Sequence, residues 1–99
     1  RINPDFATAW NNRGAALAEQ KNFDEAIRAF DEALRINPDF AAAWNNKGTA
    51  LRKQNRLDEA IKAYDEALRI DPNYAIAWNN RGIAQRERND KAIKDYDDG

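Results

Sequence analysis

Apolar positions recur along the chain in two alternating patterns. In the first, Trp10, Gly14 and Leu17 fall at i, i+4 and i+7, which places them on one helical face. In the second, Ala26, Ile27, Phe30, Ala33 and Leu34 follow i, i+1, i+4, i+7 and i+8, a wider apolar stripe. Between them Gln20-Lys21-Asn22-Phe23 is polar apart from Phe23, and Asp24 offers a side-chain oxygen to cap the second helix. Beyond the second pattern, Pro38 cannot continue a helix and Asp39 is placed to cap the next one. Each stretch therefore predicts an antiparallel pair, an A helix followed by a B helix. The spacing predicts helices near 7–20, 24–37, 41–54, 58–71, 75–88 and 91–98. Abundant Ala, Leu, Glu, Arg and Lys, with no Val, agrees with helix rather than strand.

The pattern repeats with a period of 34. Pro4, Pro38 and Pro72 keep that spacing, as do Trp10, Trp44 and Trp78, and Gly14, Gly48 and Gly82. Residues 7–40 and 41–74 are identical at 21 of 34 positions without a gap. The chain thus divides into 1–6, which reads as the tail of a preceding unit, two full units at 7–40 and 41–74, and a partial, shortened third unit at 75–99. One hairpin cannot bury its own apolar stripe, so successive hairpins must stack into a continuous core. A constant rotation between them lines an inner, concave wall with the A helices. Gly14, Gly48 and Gly82 are expected to allow close approach opposite Ala26 and Ala60, and the three Trp to pack between the A and B helices.

These residues resemble the tetratricopeptide repeat, a pattern carried in the first unit by Trp10, Gly14, Leu17, Ala26, Phe30, Ala33 and Pro38, and in the second by Trp44, Gly48, Leu51, Ala60, Tyr64, Ala67 and Pro72. The resemblance implies an all-α, right-handed superhelical solenoid of antiparallel helix-turn-helix repeats. Arg13, Lys47 and Arg81 stand where the family has Leu, and their stems can pack while their charges reach water. In the third unit Gln85 replaces Leu17 and Leu51. Comparing Asn89-Asp90-Lys91-Ala92 with Asn22-Phe23-Asp24-Glu25-Ala26, the unit is two residues short, 14 positions from Trp78 to Ala92 against 16 from Trp10 to Ala26. A weak third hairpin is expected.

Composition narrows the functions. Lys+Arg 16 against Asp+Glu 17 leaves a formal charge of -1, which disfavours nucleic acid, whose phosphates want a basic stripe. No apolar run is long enough to span a bilayer and no signal-peptide pattern is present, so membrane association is not expected. Cys, His, Ser and Met are all absent, leaving Thr8 and Thr49 as the only aliphatic hydroxyls. An enzyme is therefore not expected, nor is a cofactor or a metal. Asp95, Asp97 and Asp98 are too irregular for a calcium loop. Asp31 with Arg35 and Asp65 with Arg69 sit at i, i+4 and predict surface ion pairs.

At 100° per residue, the wall opposite Trp10 carries Thr8, Asn12, Ala15 and Glu19. The equivalent walls carry Ala42, Asn46, Thr49 and Lys53, and then Ile76, Asn80, Ile83 and Glu87, flanked by Asn11, Asn45 and Asn79 and by Arg52 and Arg86. An Asn amide both donates and accepts, so it can bond a peptide backbone whatever side chains the peptide bears. Asn12, Asn46 and Asn80 look like the inner-surface asparagines with which family members grip an extended peptide. Specificity would then rest on Glu19, Thr49, Arg52, Lys53, Ile76, Ile83, Arg86 and Glu87. The family's clamp for acidic chaperone C-termini wants Lys and Asn, then Asn, then Lys and Arg. Asn11, Ala15, Asn46, Ile76 and Asn80 stand at those positions, so only Asn46 fits. The expected partner is a protein or peptide held on the concave face. The alternative is a structural array that associates head-to-tail through uncapped ends, since residues 1–6 imitate 35–40.

Overall fold

The computed structural model describes residues 3–98 and contains five helices. These are α1 (Pro4–Glu19), α2 (Phe23–Ile36), α3 (Ala41–Lys53), α4 (Leu57–Ile70) and α5 (Ala75–Asp98), with no strand among the described residues. α1 pairs with α2 and α3 with α4 as antiparallel hairpins, α2 packs on α3, and α4 on α5. α1, α3 and α5 also touch in sequence, forming one wall of an all-α helical repeat solenoid.

The turn within each hairpin is closed by the backbone. Asn22 N–H donates to the Leu17 carbonyl at 2.9 Å, and Arg56 N–H to that of Leu51 at 2.9 Å. Such a closure needs a residue in the left-handed region, supplied by Lys21 (φ 64) and Asn55 (φ 63). The Asn22 carbonyl already accepts from Ala26 N–H at 2.9 Å, so α2 starts at Phe23. Asp24 consequently lies inside the first turn rather than capping it, and its carboxylate accepts from Gln54 Nε2 at 2.5 Å. Asp39 does not cap α3 either. The corner there is an Asx turn in which Asp39 N–H donates to Asn37 Oδ1 at 3.2 Å, repeated by Asn73 N–H on Asp71 Oδ1 at 3.1 Å. The indoles of Trp44 and Trp78 secure these corners by donating to the carbonyls of Pro38 (2.9 Å) and Pro72 (2.8 Å).

The core is filled by rings set against glycines. Phe30, Tyr64 and Leu51 are the largest fully buried side chains. A Cβ built on Gly14 would lie 2.5 Å from the Phe30 ring, and one on Gly48 would lie 2.7 Å from the Tyr64 ring. The glycines thus face aromatic rings, not Ala26 and Ala60 as the spacing suggested, because a side chain of full ring length is needed to fill the space the missing Cβ opens. Trp44 packs against three apolar clusters, centred on Tyr64, on Ala33 and Leu34, and on Ala67 and Leu68. Arg13 and Lys47 lie over the rings of Trp10 and Trp44, each 5.4 Å from the ring centre.

Two expectations fail here. Asp31 and Asp65 do not pair with Arg35 and Arg69, because the next A helix brings a cation to each of them. Lys47 Nζ lies 2.7 Å from Asp31, and the Arg81 guanidinium binds Asp65. Arg35 turns instead to Glu32 at 2.5 Å and Arg69 to Glu66 at 3.3 Å. The third hairpin is also absent: α5 runs unbroken through Asn89 and Asp90 for 24 residues. The missing pair corresponds to Asn22-Phe23 and Arg56-Leu57, which close the turn and seat the start of the B helix, so the i to i−4 ladder simply continues.

Candidate peptide-binding surface

The wall made by α1, α3 and the first half of α5 is stitched by its asparagines. Asn46 Nδ2 donates to Asn11 Oδ1 at 3.1 Å, and Asn80 Nδ2 donates to Asn45 Oδ1 at 3.1 Å. Each bond crosses from one A helix to the next. The accepting residues are buried, Asn11 to 9% exposure and Asn45 to 5%, while Asn46 and Asn80 are half-buried. An amide anchored through one N–H keeps its carbonyl oxygen and its second N–H in a defined direction. Asn12 lies exposed on α1, outside this network, and Asn79 is exposed on α5.

Beside the stitched amides lies a groove of about 710 Å³. Ala15, Ala18 and Glu19 come from α1, Lys21, Phe23 and Phe30 from the turn and α2, Asn45, Asn46, Thr49, Ala50 and Lys53 from α3, and Asn80 from α5. Small residues and the Phe23 and Phe30 rings give it an apolar floor, and Glu19, Lys21 and Lys53 supply charge of both signs. Apolar walls with a few placed polar groups are the usual make-up of a ligand site. Of the residues singled out from sequence, the groove brings together Ala15, Glu19, Asn45, Asn46, Asn80, Thr49 and Lys53.

The others sit elsewhere. Arg52 spans to Glu87 at 3.4 Å and ties α3 to α5. Ile76, Asn79 and Arg86 are exposed on α5, and Ile83 is half-buried there. Lys21 and Phe23 were not anticipated, because one end of the groove is built by the turn of the first hairpin, which a helical wheel of the A helix does not contain. The one signal was Phe23, an apolar residue in an otherwise polar turn. Under the floor, the Thr49 hydroxyl lies 2.9 Å from the Tyr64 hydroxyl and donates to the Asn45 carbonyl at 3.2 Å. Burial raises the Tyr64 pKa above its ordinary value of 10.0, with the Thr49 bond acting in the opposite sense.

Among the described residues no group of three or more acidic side chains is placed to hold a metal, and no helix is long and apolar enough to cross a membrane. No curated protein matches the chain in sequence. Solved structures match it closely in fold. The TPR domain of Sgt2 from Aspergillus fumigatus superposes with a TM-score of 0.82 at 25% identity, over 85% of this chain and 56% of that one. The TPR2AB domain of yeast Sti1, solved in complex with pHSP90, gives 0.86 at 26% identity, over 93% of this chain and 36% of that one. The second TPR of Spaghetti, bound to the HSP90 peptide SRMEEVD, gives 0.84 at 22% identity, over 95% of this chain and 89% of that one. The chain therefore spans about half of the Sgt2 domain and about a third of the Sti1 one. Models of the tetratricopeptide repeat match residues 1–39, 17–75 and 63–96. With the 34-residue period, the stacked hairpins and matches along nearly its whole length, the chain belongs to the tetratricopeptide repeat family.

Proposed function

We propose that this chain is a protein–protein interaction module that holds an extended peptide or a helix of a partner along the concave face. The observation that carries the reading is the pair of bridged amides, Asn46 on Asn11 and Asn80 on Asn45, set beside an apolar groove. A peptide lying across α1, α3 and α5 would offer backbone N–H and C=O groups to Asn46 and Asn80, which are already oriented and so lose little freedom on binding. Lys53, Thr49 and Glu19 would select among side chains. Binding of HSP90 peptide by the similar TPR domains supports the module reading. Their acidic ligand does not transfer, because Asn11 is buried and Ala15 and Ile76 carry no charge. The chemistry fits a binding module, not an enzyme.

Selection of peptides from a displayed random library, followed by fluorescence anisotropy with the best of them, tests the proposal. Asn80→Ala is expected to weaken binding about tenfold, the loss of roughly one well-oriented hydrogen bond. Unchanged affinity in both Asn46→Ala and Asn80→Ala overturns it. A second reading, head-to-tail stacking, draws on Phe6, 59% exposed on α1, and on the apolar residues exposed on α5. An open-ended series of oligomers in light scattering would support it.

A further inference from the structure

We infer that two copies of this chain form a closed dimer by exchange, with the two α5 helices antiparallel and Tyr96 of each copy seated on Gly82 of the other. The inference is independent of the groove and stands on the same packing rule that builds the first two hairpins. In those hairpins a glycine of the A helix receives an aromatic ring of the B helix, Gly14 taking Phe30 and Gly48 taking Tyr64. The repeat places Gly82 and Tyr96 in these roles. Here both belong to one straight helix, about 21 Å apart at 1.5 Å per residue, so the ring cannot reach its own seat. Accordingly, nothing lies within 4 Å of a Cβ built on Gly82, and Tyr96 is 82% exposed.

The rest of α5 is shaped for the same pairing. Of the five large apolar side chains exposed among the described residues, four lie on this helix, and two of them, Ile93 and Tyr96, fall within the span that an antiparallel partner covers. Gly82, Gln85, Asn89, Ile93 and Tyr96 follow one another along one face at spacings of three, four, four and three, the seam of a coiled pair of helices. Setting Gly82 against Tyr96 of the second copy puts the two-fold axis at Asn89, midway between them. Gln85 then meets Ile93, the positions of Leu17 and Ile27, which pack against one cluster in the first hairpin.

Charge agrees as well. Residues 75–88 hold three Arg and one Glu, net +2, whereas residues 90–98 hold four Asp and two Lys, net −2. Antiparallel pairing lays each basic half along an acidic one. The cause is the shortened connection. Without the turn-closing residue and apolar start that Asn22-Phe23 and Arg56-Leu57 supply, the B-type segment is carried outward on α5, and a shortened hinge exchanges such a segment with a second copy.

Sedimentation of the 99-residue chain from low to high micromolar concentration is expected to give a species of twice the chain mass. Asn89→Cys, in a chain with no native Cys, is expected to oxidise almost completely to a covalent dimer across the axis. Gly82→Ala leaves the single copy unhindered but fills the seat, and is expected to weaken the dimer at least about tenfold, as overpacking does at a tight site. Inserting Arg-Leu between Asn89 and Asp90 restores the turn of the second hairpin and is expected to return a monomer. A monomer at every concentration, an open-ended series of oligomers, or a dimer indifferent to both Gly82→Ala and the insertion overturns the inference.

Discussion

Gly48 and Tyr64 are fitted to each other, and the fit is testable one atom at a time. The Tyr64 ring is fully buried and cannot swing away from a new methyl 2.7 Å distant. Gly48→Ala should therefore cost about 1–3 kcal/mol in urea denaturation, despite the helix propensity gained. Tyr64→Phe keeps the ring, as Phe30 does in the first hairpin, and removes the bond to Thr49, a loss of about 0.5–1.5 kcal/mol at neutral pH. The same substitution has a pH signature. Because the folded pKa of Tyr64 is raised, its contribution is complete below the unfolded value of about 10 and is lost as pH climbs through the folded one. Stability of the parent should fall above about pH 10, and Tyr64→Phe should flatten part of that fall. The 34-residue spacing made the glycines legible as close-approach points but not their partners. Helical spacing fixes the face a residue occupies, whereas the identity of what meets it depends on how far the facing side chain reaches.

The helices themselves were largely written in the pattern, and their junctions were not. Trp10, Leu17, Phe30 and Leu34 with their repeats locate four helices to within a few residues, since apolar periodicity and Pro positions agree. The corners depend on Asn37 and Asp71 accepting a backbone N–H two residues on, a local competition that leaves Asp39 without a capping role. Lys21 and Asn55 accept a left-handed backbone that glycine tolerates better. Lys21→Gly should raise stability by about 0.5–1 kcal/mol in thermal or urea unfolding. Trp44 joins three clusters and a corner through its indole, so Trp44→Ala should cost about 3 kcal/mol or more by the same assay. α5 was the element misjudged. Ala92, Ile93 and Tyr96 keep the B-helix order, and the two-residue loss before them, legible in the sequence as a weakening of the hairpin, removes the turn altogether.

On the scale of the molecule, 53 × 29 × 17 Å, stability follows the stacking order. α3 has a neighbour on each side, α2 and α4, and touches α1 and α5 as well, whereas α1 packs on α2 and touches only α3. Backbone amides of α3 and α4 should exchange more slowly than those of α1, as expected for an array held by nearest-neighbour interfaces. Equal protection across the three helices in hydrogen exchange would contradict this. The asparagine row was legible from the repeat, but its bridging was not. The bonds join positions 35 apart, one off the period, so comparing equivalent residues never sets Asn46 beside Asn11 or Asn80 beside Asn45. That offset has a consequence for how recognition is assembled. A single hairpin owns no aimed amide, because the acceptor that aims it lives in the preceding unit. On the proposed reading grip is a property of the junction, and a longer array gains one aligned amide with every added joint, always one fewer than the A-type helices it contains.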